Sequence, residues 1–131
     1  MSSSLASTYD QKLKKWIKAM SSDIEAIPVA EQLLEDVIRR NNIVNIAAKV
    51  EVYQLMMEGV TLKLNAQLDH MRAFRKNLYE DDELIEDSAI TKLIEQEMKV
   101  IGQQHTKIEN EYQTVKTQCD MFLAETLKHK K

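Results

Sequence analysis

Two glycines, one proline and one cysteine are scattered through 131 residues, and aromatic side chains make up only 5% of the chain. Turns and hairpins consume Gly and Pro, so their scarcity argues against short strands joined by tight loops. A lone cysteine, Cys119, cannot form an intrachain disulfide, and the reading for it is a buried free thiol in a reducing compartment. No apolar run reaches the ~18 residues of a transmembrane helix, and no signal-peptide core opens the sequence. The expectation is a soluble intracellular protein, cytoplasmic or nuclear, neither secreted nor membrane-spanning.

Chemical motifs are missing too. There is no glycine-rich phosphate loop, no Cys-x-x-Cys, no nucleophile elbow and no paired-carboxylate cleft. The net charge of -3 is too small to identify a polyanionic partner. No cofactor, resident metal or small-molecule substrate is expected, and no enzymatic activity.

What the chain does have is 44% apolar and 30% charged residues, arranged at helical spacing. Ile94, Met98, Ile101, His105, Ile108, Tyr112, Val115, Cys119 and Phe122 alternate steps of four and three, which keeps one narrow apolar seam on a long helix. A second seam runs through Ile43, Ile46, Val50, Tyr53, Met57, Val60, Leu64, Gln67, Met71, Phe74 and Leu78. A strand, with its period of two, cannot produce that spacing.

The N-terminal residues 1–7 are Ser-rich and read as a disordered tail, with Ser7 or Thr8 capping a first helix. Its apolar face is Tyr9, Leu13, Trp16, Met20, Ile24 and Ile27. Pro28 is expected to end it in a sharp corner, since proline lacks the helical N–H and disfavours helix in the residue before it. The predicted helices are therefore 8–27, 29–79 and 88–128 within one domain, 8–131; Arg39–Asn42 reads as a short turn or as a stutter within the second helix, and the absence of Gly and Pro favours the stutter. Residues 80–87, six of them acidic, form the predicted turn before a start near Ser88.

Folding the second and third helices about that turn sets Gln67 against Ile101, Leu64 against His105 and Tyr53 against Val115. The fold class that follows is all-α: an elongated antiparallel bundle, a long coiled-coil hairpin with a shorter N-terminal helix packed at its base. Gln67 and His105 are the polar seam residues, expected to hydrogen-bond each other and set register. Gly102 is expected beside Ala66. A distal arm only two helices thick cannot bury a wide face. Val52, Leu55, Met56, Gly59, Leu62 and Ala66, with Leu93 and Val100 at the rim, then form a second apolar stripe for a partner helix or coiled coil, supplied by another protein or a second copy.

Other candidates carry less. His105 and Glu109 stand one turn apart, but no second His-carboxylate pair faces them, so a metal site is not expected. His70 reads as a flank residue. Arg72, Arg75 and Lys76 are expected to pair with Glu80 or Asp82. The run Lys12, Leu13, Lys14, Lys15, Trp16, Ile17, Lys18 supports an alternative function, a peripheral membrane or nucleic-acid binder whose lysines meet an anionic surface. The bland account puts Trp16 in the core and the lysines in water.

Overall fold

The computed structural model describes residues 2–40, 44–80 and 88–128, with side chains described for 7–40, 45–78 and 91–126. It is an all-helical bundle of α1 (Ser2–Arg40), α2 (Val44–Glu80) and α3 (Ser88–Lys128), with no strand among the described residues. The three are of near-equal length, 39, 37 and 41 residues, each roughly 55–60 Å long at 1.5 Å per residue.

The N-terminal element departs from the sequence reading in three ways. It is helical from Ser2, so residues 2–7 belong to α1 and are not a tail. It does not stop at Pro28, which lies inside the helix. The described helix runs to Arg40 and the next from Val44, and the Asp10–Arg75 tie sets the two alongside each other, so they do not form one helix from 29 to 79. Residues 41–43 lie outside the described residues, as does the predicted acidic turn apart from Glu80, the last residue of α2.

The reason α1 runs through Pro28 is visible in its buried face. Leu13, Met20, Ile27 and Leu34 recur every seven residues and are all at most 2% exposed, with Val37 beside them. Proline inside a helix costs about 3 kcal/mol through the lost hydrogen bond and the crowded preceding turn. Leu34 and Val37 lie beyond it, and burying each contributes about 1.5–3 kcal/mol. A corner at residue 28 would take both out of phase with Ile27. Pro28 itself is exposed, so its ring interrupts the solvent side and not the packed one.

Nor is α1 a short piece at the base. Asp10 near its start is bonded by Arg75 near the end of α2, while Glu31 in its second half shares a groove with Leu55, Glu58 and Leu62. The first helix thus extends along the bundle to the end where a two-helix arm was expected. Arg75 is thus tied to Asp10, and the expected pairing of Arg72, Arg75 and Lys76 with Glu80 or Asp82 falls on side chains outside the described ones. Asp10 is 3% exposed, and Lys14, one turn on, lies 3.4 Å from its second oxygen.

Between α2 and α3 the contacts pair in opposite index order. Tyr53 stacks on Phe122, ring centroids 5.0 Å apart. Lys63 donates to Glu111 at 2.6 Å, the Gln67 amide donates to the Ile101 carbonyl at 3.3 Å, and His70 Nε2 lies 2.8 Å from Glu97. Gln67 is therefore at Ile101, and the Tyr53 ring reaches Phe122. Side chains on a helix lean toward its own N-terminus, so long side chains on oppositely ordered helices meet past their own backbone level.

The core draws on all three helices. Val50, Met57, Val60, Leu64, Leu68, Met71 and Leu78 of α2 are buried with Met98, Ile101, Tyr112, Val115, Cys119 and Leu123 of α3. Leu68 and Leu123 lie outside the predicted seams; a third full-length helix requires each of its neighbours to present a second buried row.

Because Pro28 interrupts a packed, unbroken helix on its solvent side, Pro28→Ala should raise stability by about 1–3 kcal/mol. The urea midpoint followed by circular dichroism measures this; an unchanged or lowered midpoint would mean that the helix is not continuous there.

Candidate interaction surface and buried polar cluster

The stripe singled out in the sequence lies largely on the surface. Leu62 is 72% exposed, Leu55 61%, Leu93 61%, Val52 53% and Val100 38%, while Gly59 and Ala66 are exposed and Met56 half-buried. α1 leaves this side of α2 uncovered. The residues nevertheless divide across the crest of α2. Val52 and Met56 line a groove against α3, shared with Tyr53, Met121 and Phe122. Ala66 lines the next stretch of the same side with Gln67, Gln104 and Ile108. Leu55, Gly59 and Leu62 tip the other way, toward Glu31 of α1. Above Gly59 the space is open, with no atom within 4 Å of where a Cβ would sit.

The basic run on α1 is divided by the helix itself. Leu13 is fully buried, Trp16 and Ile17 are half-buried, and Lys12, Lys14, Lys15 and Lys18 are exposed. Lys14 is engaged with Asp10, and the Trp16 ring packs inward.

Trp16 occupies a slot on α3. Its ring stacks on His105 with centroids 5.1 Å apart and planes 22° from parallel. One turn earlier, a Cβ on Gly102 would come within 3.2 Å of the indole. Gly102 therefore makes room for Trp16, a partner that the two-helix reading did not place there. The expected bond between Gln67 and His105 is likewise absent: Gln67 spends its amide on the Ile101 carbonyl, and His105 Nδ1 is shielded from solvent without a hydrogen-bond partner.

Beyond His105 the α1–α3 contact turns acidic. Asp23 of α1 and Glu109 of α3 each present a shielded oxygen, Oδ2 and Oε1, with no partner. Burial, then the bond that a protonated Glu109 could donate to Asp23, and the Asp23 charge, push the Glu109 carboxyl up to about 7. Burial lowers the pKa of His105, a trend that the Asp23 charge opposes. Tyr112 is raised by burial and then by Asp23, Asp120 and Glu109. Asp23 was not singled out in the sequence, although it stands seven residues after Trp16 and three after Met20, on the apolar face of α1. A charge at such a position is a signal in its own right.

Other chemistry has little foothold. Among the described residues no group of three or more His, Cys, Asp or Glu is placed to hold a metal ion. Cys119 is buried, and burial followed by the Asp120 charge raises its thiol pKa, the reverse of an activated nucleophile. His70 and Glu97 form an exposed pair between α2 and α3. No described helix is long and apolar enough to cross a membrane.

Comparisons of the chain with protein-family models, with curated proteins and with solved structures return no match.

Trp16 is the only tryptophan, so its emission reports the stack directly. With the His105 pKa depressed, the neutral ring persists below the ordinary 6.5. The stability it contributes is present above 6.5 and is lost as pH falls through the lowered value. Trp16 fluorescence should therefore titrate with a midpoint below 6.5, and His105→Ala should remove that transition. A midpoint at or above 6.5 would place the ring in water.

Proposed function

We propose that this chain is a non-enzymatic interaction subunit, a scaffold element of a larger assembly. In this reading the three helices form an elongated antiparallel bundle whose α2–α3 hairpin is the docking arm. The occupant is a helix supplied by another chain. One observation carries the proposal: Val52, Leu55 and Leu62 stay more than half exposed on the crest of α2 although α1 packs along the same helix. Exposed apolar residues at three- and four-residue steps suit the face of another helix, and the open space above Gly59 allows close backbone approach. Val52, Met56 and Ala66 would take one edge of that helix and Leu55 and Leu62 the other, with Leu93 and Val100 extending the contact along α3. Each Leu or Met buried would contribute roughly 1.5–3 kcal/mol before ordering costs. A reducing compartment, cytoplasmic or nuclear, suits the free Cys119.

The alternative, an anionic membrane or nucleic-acid surface meeting Lys12, Lys14, Lys15 and Lys18, keeps its exposed charges. It loses the aromatic anchor, because Trp16 is committed to His105.

Leu55→Glu combined with Leu62→Glu should abolish complex formation, assayed by crosslinking pull-down and light scattering, while circular dichroism stays helical. Scattering of the purified wild type separates a second copy from a different partner. An unaltered complex in the double variant would rule out this face. Salt-sensitive liposome or oligonucleotide binding that is lost in Lys14→Glu, Lys15→Glu, Lys18→Glu would favour the alternative.

A further inference from the structure

We infer that Asp23 and Glu109 form a proton-operated latch between α1 and α3, closed while one proton sits between the two carboxyl groups and loosened when both are ionised. The inference is independent of the docking face, which uses α2 with Leu93 and Val100 of α3 and neither Asp23 nor Glu109.

The argument starts from hydrogen-bond supply. Asp23 Oδ2 and Glu109 Oε1 are both shielded from solvent and both without a partner. Ionised carboxylates are acceptors only, so neither can satisfy the other. A single proton changes this: the protonated carboxyl donates and its neighbour accepts, in a charge-assisted bond joining the helices. Two like charges sharing one site cannot both ionise cheaply. No lysine or arginine forms an ion pair with either among the described residues, where Lys14 and Arg75 are engaged with Asp10 and Lys63 with Glu111.

The groups acting on the pair come from both helices. Asp23 is the one charged contributor from α1. His105, Glu109 and Tyr112 lie on α3, with Asp120 acting on Tyr112, and no group of α2 contributes to their shifts. His105 cannot stand in as the counter-ion, since its own burial favours the neutral ring.

The direction in pH follows from linkage. Glu109 is raised from 4.5 to about 7, so between those values the folded chain holds a proton that the unfolded chain has released. The latch is complete below 4.5, weakens as pH rises, and is gone above about 7. His105 works oppositely and loses its contribution as pH falls below 6.5. The two offset in mild acid, and above 6.5 Glu109 acts alone.

The test is amide hydrogen exchange on the full chain at pH 6 and pH 8, corrected for the intrinsic base-catalysed rate, read over residues 20–27 and 105–112. In the wild type, exchange there should rise by roughly tenfold as the closed-to-open ratio drops. Glu109→Gln keeps a donor at every pH and should hold the segments protected at both, while His70→Gln, which removes the exposed His70–Glu97 pair, should behave as wild type. A rise in Glu109→Gln equal to that of wild type, or none in wild type, overturns the latch. Should the Gln variant fail to fold, the Glu109 side-chain carboxyl carbon followed by NMR decides. A midpoint near 7 together with the wild-type rise in exchange supports the latch, and one near 4.5 overturns it.

Discussion

The structure depends on one dry face. Leu13, Met20, Ile27 and Leu34 stand at intervals of seven on α1, each fully or almost fully buried, and only an unbroken helix keeps four such positions in line. α2 and α3 on their own would present paired narrow seams, enough to zip two helices but leaving Leu68 and Leu123 in water. With α1 lying along both, those residues become core, and the assembly is a bundle with an enclosed interior. The same constraint explains the proline. A helix whose in-phase burial extends on both sides of residue 28 loses more by breaking there than the roughly 3 kcal/mol that the ring costs.

Polar groups inside this bundle occur where helices must choose a register. Apolar heptads tolerate sliding by one repeat, because the side chains on offer are nearly equivalent. Asp10 resists it: displaced by seven residues, its buried carboxylate would lose Arg75, its partner across the helices, while Lys14 of its own helix moved with it. Gln67 makes the same demand on α3 through the Ile101 carbonyl. Trp16 makes it sterically, since only the missing side chain at Gly102 leaves room for the indole. One tie joins α1 to α2, one α2 to α3 and one α1 to α3, so each pair of helices has its own.

Much of this was legible from periodicity, and what was missed has physical causes. The three- and four-residue spacing identified helices and most buried positions, because burial of one face is what selects that spacing. Pro28 misled because a local rule was given precedence over a tertiary one. The continuation of Ile27 into Leu34 was on the page, but it carries weight only once a partner face for it is assumed. Gln67 and His105 were correctly singled out as polar residues in apolar rows, but not their partners, since a two-helix picture has no Trp16 to place against the imidazole. Asp10 and Asp23 were overlooked for the same reason. With α1 taken as a short segment at the base, a carboxylate on its face had nothing to meet.

The exposed apolar residues differ in kind from those buried ones. A lone surface leucine is ordinary, since more than half of any protein surface is apolar. On the crest of α2, however, Val52, Leu55 and Leu62 keep helical spacing with one another. The core does not account for it, as these side chains stay more than half exposed, Val52 along the α3 groove and Leu55 and Leu62 toward Glu31 of α1. Nor does α1, because its own apolar row is spent on the interior. Val29 and Leu33, its exposed apolar residues near Pro28, lie among the residues that face water. The bundle therefore encloses its apolar core with all three helices and still leaves apolar residues at helical spacing on the crest of α2 outside it.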